Sequence, residues 1–462
     1  MPYWNQYKYK VAILAFMFAL FAIWGYSKVW QAERAIQQGD YHAAAEAYAR
    51  IARVLFWSSD LWEKAGIAAV MGNDHAAAIA YFEKAPSLSE AGWLRLAGSH
   101  YQLGDSDSAI HSIEQGLQTH DSASLYGLLA LIYREQKNFQ REQAALLEQT
   151  RLDTEDAYAH YRLGLLLMLS TPEEALPILT RASFLNPEVD SAVQTARAAL
   201  ALSSTQTGDS QKLLSIGRAF GLVQEWELAV EAFTQAVELD PKNAEAWAWL
   251  GEANQQTGQE GGAELDQALS LSSTNPNVFA LRALQWSRQG KYELALEEYL
   301  LAAKYDAENP AWQAGIGDAY AKLGDLVAAL AAYQRAVELS PREASYLVRL
   351  AFFCAENGVN LEDVGLPAAQ QAVQLAPNDP FALDALGLSY FSLRYYVSAE
   401  MALLKAIEAA PEYFPAHIHL ALTYLAQGKR TAAFNSLTYV RDADESGVYH
   451  EAALQLLSQY FP

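Results

Sequence analysis

The chain has 462 residues, of which 52% are hydrophobic and 19% charged, a composition that excludes a disordered chain and favours an ordered globular or repeat protein. Its formal net charge of −22 argues against nucleic acid as a partner, because phosphate binding requires clustered Lys and Arg. The single cysteine, Cys354, excludes an intramolecular disulfide and any metal site built from several cysteines. Its apolar neighbours predict a buried structural thiol.

The first predicted element is an uncharged stretch over residues 11–27, which follows a short N-terminal tail of residues 1–10. As a helix it would be about 25 Å long, near the lower limit for crossing a bilayer. It is apolar on all sides, and aromatic and lysine residues stand at both ends, where they would meet the headgroups. The residues that we assign to this anchor are Lys10, Phe16, Phe18, Trp24, Tyr26 and Lys28.

Two other interpretations of this stretch are a cleaved export signal and the first buried helix of a soluble fold. A signal needs small residues before its cleavage point, and the bulky Trp24 and Tyr26 disfavour one. A solenoid helix would show a polar stripe, which is missing here. We therefore expect a single-pass anchor. The slight excess of lysine before it favours a cytoplasmic N-terminus, with the rest of the protein in a periplasm or outside the cell.

Beyond Lys28 the sequence repeats itself with a period close to 34 residues. The segments GIGDAYAKLGDLVAALAAYQRAVELSP, from Gly317, and GLSYFSLRYYVSAEMALLKAIEAAP, from Gly387, place Gly, Tyr, Ala and Pro at the same offsets. A small residue marks each repeat, at Ala32, Gly66, Ala97, Ala130, Gly164, Gly217, Gly251, Ala283, Gly317, Ala351, Gly387 and Ala421. This pattern resembles the tetratricopeptide repeat along nearly the whole sequence.

The resemblance implies an all-α fold, a right-handed α-solenoid of about twelve helix pairs. The small Gly317 and the facing Ala329 would let the two helices of one pair approach closely. We expect Tyr333, with Tyr320, to fill the gap toward the neighbouring pair. Gly324 falls where the first helix must end in a left-handed turn. Pro341 stops the second helix, because it lacks an amide hydrogen.

The step from Gly164 to Gly217 is irregular, because it is longer than one repeat by about one helix and a polar loop. We predict a break near residues 203–210, produced by a repeat that lost its second helix or by a hinge. The break divides the repeats into an N-terminal block, residues 28–205, and a C-terminal block, residues 206–443. The pattern stops after Val440, and residues 444–462 are predicted to form a capping helix over the last pair.

The sequence contains no phosphate-binding loop, no nucleophile elbow and no zinc-protease motif, so we predict no catalytic residue, no metal and no cofactor. His417 and His419 are two residues apart on a predicted helix and therefore point to different faces. Paired carboxylates such as Glu173 and Glu174 fit a solvated helix start better than a hydrolytic dyad. The protein is not expected to be an enzyme.

Members of the resembled family usually hold partner peptides in a concave groove, against their first helices. One exposed position in that groove lies two residues before the small residue, and here it carries Lys64, Arg95, Arg162 and Arg349. Trp249 is assigned to the same groove as an aromatic contact, with core packing as the alternative. A cationic stripe in an acidic protein would favour an acidic peptide or the C-terminus of another protein. The alternative is that these cations pair with neighbouring Asp or Glu.

The carboxylate clamp of chaperone-binding family members needs asparagines at positions that carry Ile67, Gly98 and Leu131 here, so that function is not expected. The sequence favours a membrane-anchored scaffold that binds protein partners, as an assembly factor or accessory subunit of a larger membrane-associated complex. The alternative is a self-assembling structural subunit of an extracytoplasmic assembly or filament.

Overall fold

The structure, a computed structural model, describes residues 24–444 and 447–462 together with Met17, and its regular elements are all helical. The all-α prediction is therefore confirmed for this part of the protein. The helices before residue 205 are α1 (residues 24–37), α2 (Tyr41–Val54), α3 (Ser59–Met71), α4 (His75–Phe82), α5 (Glu90–Gln102), α6 (Ser106–Leu117), α7 (Ala123–Glu135), α8 (Phe139–Leu152), α9 (Ala157–Ser170), α10 (Pro172–Leu185) and α11 (Asp190–Ser204).

The helices after residue 205 are α12 (Asp209–Leu222), α13 (Trp226–Leu239), α14 (Ala244–Gln256), α15 (Gly262–Leu271), α16 (Pro276–Arg288), α17 (Tyr292–Tyr305), α18 (Pro310–Leu323), α19 (Leu326–Leu339), α20 (Ala344–Asn357), α21 (Leu366–Leu375), α22 (Pro380–Ser392), α23 (Tyr396–Ala409), α24 (Phe414–Ala426), α25 (Arg430–Ala443) and α26 (Val448–Tyr460). A 3₁₀ turn, Pro187–Val189, precedes α11, and a π-helical turn, Leu361–Gly365, precedes α21. Apart from α11 and α26, the described helices form twelve consecutive pairs, as the repeat count predicted.

The small residues of the repeats sit where the two helices of a pair meet, and all twelve are buried. A Cβ atom added to Gly66 would lie 2.6 Å from the ring of Phe82, and one added to Gly387 would lie 2.5 Å from Leu403. Atoms do not approach so closely, so these positions require a small side chain. The expectation that small residues permit close helix packing is confirmed.

Tyr333 packs in two directions. Its ring lies 2.9 Å from the place of a Cβ on Gly317, within its own pair, and its centroid is 5.0 Å from that of Phe353 in the next pair. From the repeat pattern, Tyr333 was expected only in the gap between pairs. Its second role follows from its position opposite a glycine, where an aromatic ring can lie directly on the helix backbone.

The turns between paired helices share one backbone feature. Gly324 has φ of 84°, as predicted, and a residue with positive φ stands seven positions after the small residue in eleven of the twelve described pairs. In the pair that contains Gly164 this position is Thr171, which has a negative φ of −140°. The eleven residues are Gly39, Asn73, Gly104, Lys137, Gln224, Gly258, Gly290, Gly324, Gly358, Arg394 and Gly428.

The protein forms two compact units. The first runs to Gly208 and adds Ser215–Ala232, and the second comprises Asp209–Leu214 and Phe233–Pro462. The extra helix after the fifth pair is α11, which is followed by the nonhelical residues 205–208. The block boundary at residues 205–206 stays a prediction.

The C-terminal helix α26 lies against the last repeat, where Leu457 packs with Ala421 and Leu437. At the other end, the predicted anchor falls mostly outside the described residues, and Lys10, Phe16 and Phe18 are among those not described. Within the described part of the protein, no helix combines the length and apolar composition needed to span a membrane.

Three residues assigned to the anchor belong to α1. Trp24 and Tyr26 are 36% and 77% exposed, and the Nζ of Lys28 donates a hydrogen bond to Oε1 of Gln31 at 2.9 Å. These side chains therefore face away from the packed interior of the first pair. Membrane insertion of residues 11–27 stays a prediction.

Candidate partner-binding groove

A groove of about 580 Å³ opens in the second unit along the first helices of three successive pairs, α16, α18 and α20. We call it the first-helix groove. Its lining mixes aromatic, cationic and anionic side chains, and comprises Leu284, Ser287, Arg288, Tyr292, Tyr299, Asp318, Ala319, Ala321, Lys322, Tyr333, Arg349, Phe352, Phe353, Glu356 and Asn357. A groove that combines aromatic side chains with charged and polar groups is suited to a peptide or helix of another protein.

The groove lining follows the repeat register. Asp318 lies one position after its small residue, and Arg288, Lys322 and Glu356 each lie five positions after theirs. Positions −2, +1 and +5 are three or four residues apart, so they share one helix face. Arg349 occupies the −2 position of the same face in α20. The groove is thus one face of the first helices, repeated from pair to pair.

Asp318 holds two neighbours across the groove. Its Oδ1 accepts a hydrogen bond from the hydroxyl of Tyr333 at 2.6 Å, and its Oδ2 accepts one from Nη1 of Arg349 at 2.9 Å. The side chains of Arg349 and Asp318 are 52% and 50% exposed. An ion pair this exposed contributes only about 0–1 kcal/mol. Arg349 can therefore exchange Asp318 for the carboxylate of a partner at little cost.

Two tyrosines form part of the groove wall as neutral hydrogen-bonding groups. Burial raises the pKa of Tyr299 to about 12, and burial together with the charge and hydrogen bond of Asp318 raises the pKa of Tyr333. Tyr299 fits beside Gly315, where an added Cβ would lie 2.6 Å from its ring. Both phenols keep their protons at physiological pH.

The remaining charges of the groove are of both signs. Arg288 donates through Nη1 to Glu252 at 2.9 Å and to Gln255 at 3.0 Å. Lys322 and Glu356 have no ion pair among the residues that the structure describes. Arg288 pairs with a buried carboxylate, whereas Arg349 pairs with an exposed one that it can exchange. Lys322 and Arg349 are therefore the cations of the groove that are open to a partner.

Two of the predicted cations lie in the first unit. Lys64, on α3, pairs with Asp60 four residues before it at 2.9 Å, and both side chains are exposed. Arg95, on α5, is exposed and makes no ion pair within the described residues. Both remain accessible, and their role in partner binding stays a prediction.

Arg162 differs from the prediction, because its side chain is 3% exposed and lies inside the first unit. Its Nε donates to Oε1 of Glu142 at 2.6 Å, and its Nη1 donates to Glu225 at 2.8 Å. Burial alone would lower the pKa of Arg162, but the hydrogen bond and charge of Glu142 and the charge of Glu225 raise it. The expectation of an exposed groove residue is wrong here, since Arg162 is enclosed by its own carboxylates.

Trp249 is half-buried and stacks on Phe233, with ring centroids 6.1 Å apart and an interplanar angle of 26°. It does not line the first-helix groove. Stacking of this kind stabilises the packing between successive pairs, which is the ordinary role of an aromatic residue in a repeat. A contribution of Trp249 to partner binding stays a prediction.

Other residues with reactive side chains have structural surroundings. Cys354 is buried, as predicted, and burial raises its pKa to about 11. His419 contacts the buried Asp384 at 2.7 Å, whereas His417 contacts the carbonyl oxygen of Pro411 at 2.9 Å. The two histidines have different partners, as their spacing predicted. Among the described residues, no cluster of three His, Cys, Asp or Glu side chains could hold a metal ion.

Stacked pairs of antiparallel helices with a lined first-helix face define an α-helical repeat protein that offers a binding surface. A family model described as tetratricopeptide repeat matches residues 31–92, 94–150 and 287–344, and a second model described as TPR repeat matches residues 217–258. The repeats within these residues are therefore tetratricopeptide repeats.

Among curated proteins, the chain is similar to the anaphase-promoting complex subunit CDC16 of Saccharomyces cerevisiae, with 29% identity over 31% of this chain and 18% of that protein. It is also similar to the BBSome complex member BBS4 of Bos taurus, with 27% identity over 30% of this chain and 27% of that protein. The chain thus spans less than a third of either relative. Among solved structures, the APC/C hetero-tetramer Cut9–Hcn1 aligns over 92% of this chain and 95% of its own, with 16% identity and a TM-score of 0.42.

Most residues of the first-helix groove lie outside the −2 position, which is the only groove position that the repeat pattern singled out. Asp318, Lys322 and Glu356 lie on the same helix face at +1 and +5. A helical-wheel comparison of the aligned repeats would have selected these positions, because they recur with the repeat. Tyr299 and Tyr333 reach the groove from second helices, and no spacing rule within one helix identifies them.

Proposed function

We propose that this protein is a membrane-anchored scaffold that holds a segment of a protein partner in the first-helix groove. The observation that supports the proposal most directly is the continuity of this groove over three successive pairs, with accessible cations and aromatic side chains in its lining. A rigid helical surface of this kind binds without undergoing chemistry of its own. Tetratricopeptide repeats typically serve such scaffolding roles, and no enzymatic activity is proposed.

The partner segment would be acidic, or carry acidic residues next to an apolar side chain. Lys322 and Arg349 would meet its carboxylates, and the partly exposed Phe352 would contact the apolar residue. Charge-assisted hydrogen bonds from Arg to a carboxylate are stronger than neutral ones, so Arg349 would contribute most. An acidic peptide was already expected from the cations at the −2 position. The proposed binding site is now the first-helix groove of the second unit.

The names of two relatives fit a role within a larger assembly. CDC16 is a subunit of the anaphase-promoting complex, and BBS4 is a member of the BBSome complex. By analogy, we propose that this protein acts as an assembly factor or accessory subunit of a multi-protein complex at a membrane. The composition of residues 11–27 supports the membrane attachment.

We further propose that the N-terminus is cytoplasmic and that the repeats lie on the other side of the membrane. The lysines before residue 11 support this direction. A reporter enzyme that is active only outside the cytoplasm, fused after Pro462, tests it. We expect this fusion to be active. If instead only a reporter that requires the cytoplasm were active at the same position, the proposed orientation would be wrong.

Binding is tested by affinity capture from detergent-solubilised membranes with the full-length protein and with the double variant Lys322→Glu/Arg349→Glu. The captured partner should be lost from the double variant. Arg335→Glu is the matched control, because Arg335 is an exposed cation on the second helix α19 and pairs only with its neighbour Glu338. Equal capture by the double variant would refute the groove as the binding surface.

A further inference from the structure

The loop between α2 and α3, residues 55–58, presents two aromatic side chains to solvent. Phe56 and Trp57 are 66% and 63% exposed. Their rings pack edge to face, with centroids 5.1 Å apart and an interplanar angle of 79°. We call this pair the aromatic tip. Two large apolar side chains held together on one exposed loop form a patch of the kind that marks an interaction surface.

The aromatic tip lies at the end of the first helix pair where the chain arrives from residues 11–23. In one cluster, Val29 and Ala32 of α1 pack with Ala49 and Ala52 of α2. At the opposite end, a turn over residues 38–40 joins the two helices. The start of α1 and the end of α2 are therefore level with each other. In two antiparallel helices, residues at equal distances from the connecting turn lie side by side. By this count, residues 55–57 lie level with the first described residue of α1 or slightly beyond it.

The corresponding loops of other repeats are different in character. Each joins the second helix of one pair to the first helix of the next, and representative sequences are DTED at residues 153–156, DPKN at residues 240–243 and DAEN at residues 306–309. Among the described loops of this class, only residues 55–58 expose two aromatic side chains. Turn chemistry favours Asp, Asn, Pro and Ser at such places, so the aromatic tip is not explained by the turn itself.

The charges around the aromatic tip are unusual for a protein with a net charge of −22. Arg53, in the last turn of α2, and Lys28, at the start of α1, have no ion pair among the described residues. The nearby Asp60 is paired with Lys64 at 2.9 Å. This end of the first pair therefore combines exposed aromatic rings with open cations, a combination that suits the anionic headgroup region of a bilayer.

We propose that the aromatic tip inserts into the headgroup region of the bilayer that residues 11–27 enter. Trp and Phe partition to this region because their rings are apolar, and the indole N–H of Trp can still reach water or a headgroup. A second contact beside the anchor would fix the tilt of the first repeats against the membrane. The inference rests on the proposed membrane anchor and adds a second point of attachment to it.

The experiment places an environment-sensitive fluorophore on Ser58→Cys in the full-length protein, reconstituted into vesicles of phosphatidylcholine and phosphatidylglycerol. The hydroxyl of Ser58 makes no capping hydrogen bond to α3, so its replacement leaves the helix start intact. The native Cys354 is buried, and the protein without an added cysteine gives the labelling background. We expect blue-shifted emission and quenching by nitroxides carried on the lipids.

The matched control is the same label on Thr154→Cys, an exposed position in the loop between α8 and α9. Its emission should remain that of a water-exposed dye. In Phe56→Ser/Trp57→Ser, the label at residue 58 should lose the blue shift and quenching while the vesicles still float the protein. A water-exposed label at residue 58 in floating Ser58→Cys protein that keeps Phe56 and Trp57 would refute insertion of the aromatic tip but not the anchor. Failure of the protein to float would refute the anchor and the tip together.

Discussion

The guanidinium of Arg162 and the carboxylate of Glu142 form a buried ion pair, with Nε 2.6 Å from Oε1 and side-chain exposures of 3% and 1%. A second carboxylate, Glu225, contacts Arg162 from 63 residues further along the sequence. Both charges are removed from water. The energetic cost of this desolvation is offset only while the two partners remain in contact. This pair ties α8 and α9 to the turn before α13 within the first unit.

Removing the cation should therefore be costly. Arg162→Met leaves Glu142 buried without a partner, so we expect a loss of about 3–5 kcal/mol in the stability of the first unit. The loss is measured as a lower thermal midpoint and faster amide hydrogen exchange in α8 and α9. Arg151→Met is the control, because Arg151 pairs with Glu148 and Asp121 in an exposed site and should cost at most about 1 kcal/mol. Equal effects of the two variants would contradict the buried role.

The same glycine-to-alanine change should have opposite effects at two positions of the first unit. At Gly164 the new Cβ would lie 2.6 Å from Leu179, and overpacking of this kind typically costs about 1–3 kcal/mol. At Gly98, in the middle of α5, nothing lies within 4 Å, and the better helix propensity of alanine should add about 1 kcal/mol. Thermal unfolding followed by circular dichroism compares Gly164→Ala with Gly98→Ala. A gain at Gly164 would show that the helices can separate at no cost.

The left-handed turn residues predict a second pair of opposite effects, both in the second unit. Arg394 has φ of 66°, a conformation that costs about 1 kcal/mol or more for a residue with a Cβ, so Arg394→Gly should raise the thermal midpoint. Gly324 has φ of 84°, so Gly324→Ala should lower it. If Arg394→Gly lowered the midpoint instead, contacts of the arginine side chain would outweigh the backbone strain.

Cys354 should react with thiol reagents only slowly in the folded protein. Burial raises its pKa from 9.0 to about 11, so the reactive thiolate is scarce at neutral pH. Below pH 9 the thiol is neutral in both states. As the pH rises from 9 toward 11, only the unfolded protein ionises, and stability falls. The rate of thiol labelling by an aromatic disulfide reagent, followed by absorbance with and without denaturant, compares the folded and unfolded protein. Rapid labelling of the folded protein at neutral pH would contradict this burial.

Much of the fold follows from residue spacing. The recurrence of a small residue near every 34 positions located the twelve helix pairs, because a helix pair needs one close contact and a solenoid repeats it. The turn glycine at Gly324 was also predictable, since glycine adopts positive φ without strain. That Lys137, Gln224 and Arg394 adopt the same backbone was not predictable from their side chains. The repeat geometry imposes it on them.

The candidate groove was predictable only in part. Arg349 was identified from its place in the repeat, but the same rule selected Arg162, which the structure buries. The two arginines occupy the same position of the repeat. They differ in the carboxylates that contact them from distant parts of the sequence. Arg162 meets Glu142 and Glu225, which lie 20 and 63 residues away, whereas Arg349 meets one exposed carboxylate, Asp318. No window of sequence around either arginine contains this information.

The sequence by itself determined the helical pairs, their number and the places where their backbones touch, because these depend on side-chain size and periodicity along the polypeptide. The tertiary structure decided which charges are buried, which cations stay open to a partner, and that Phe56 and Trp57 project beside the start of α1. The physical reason is that solvent exposure and ion pairing are set by neighbours brought together from distant repeats, and their energies depend on whether water is excluded.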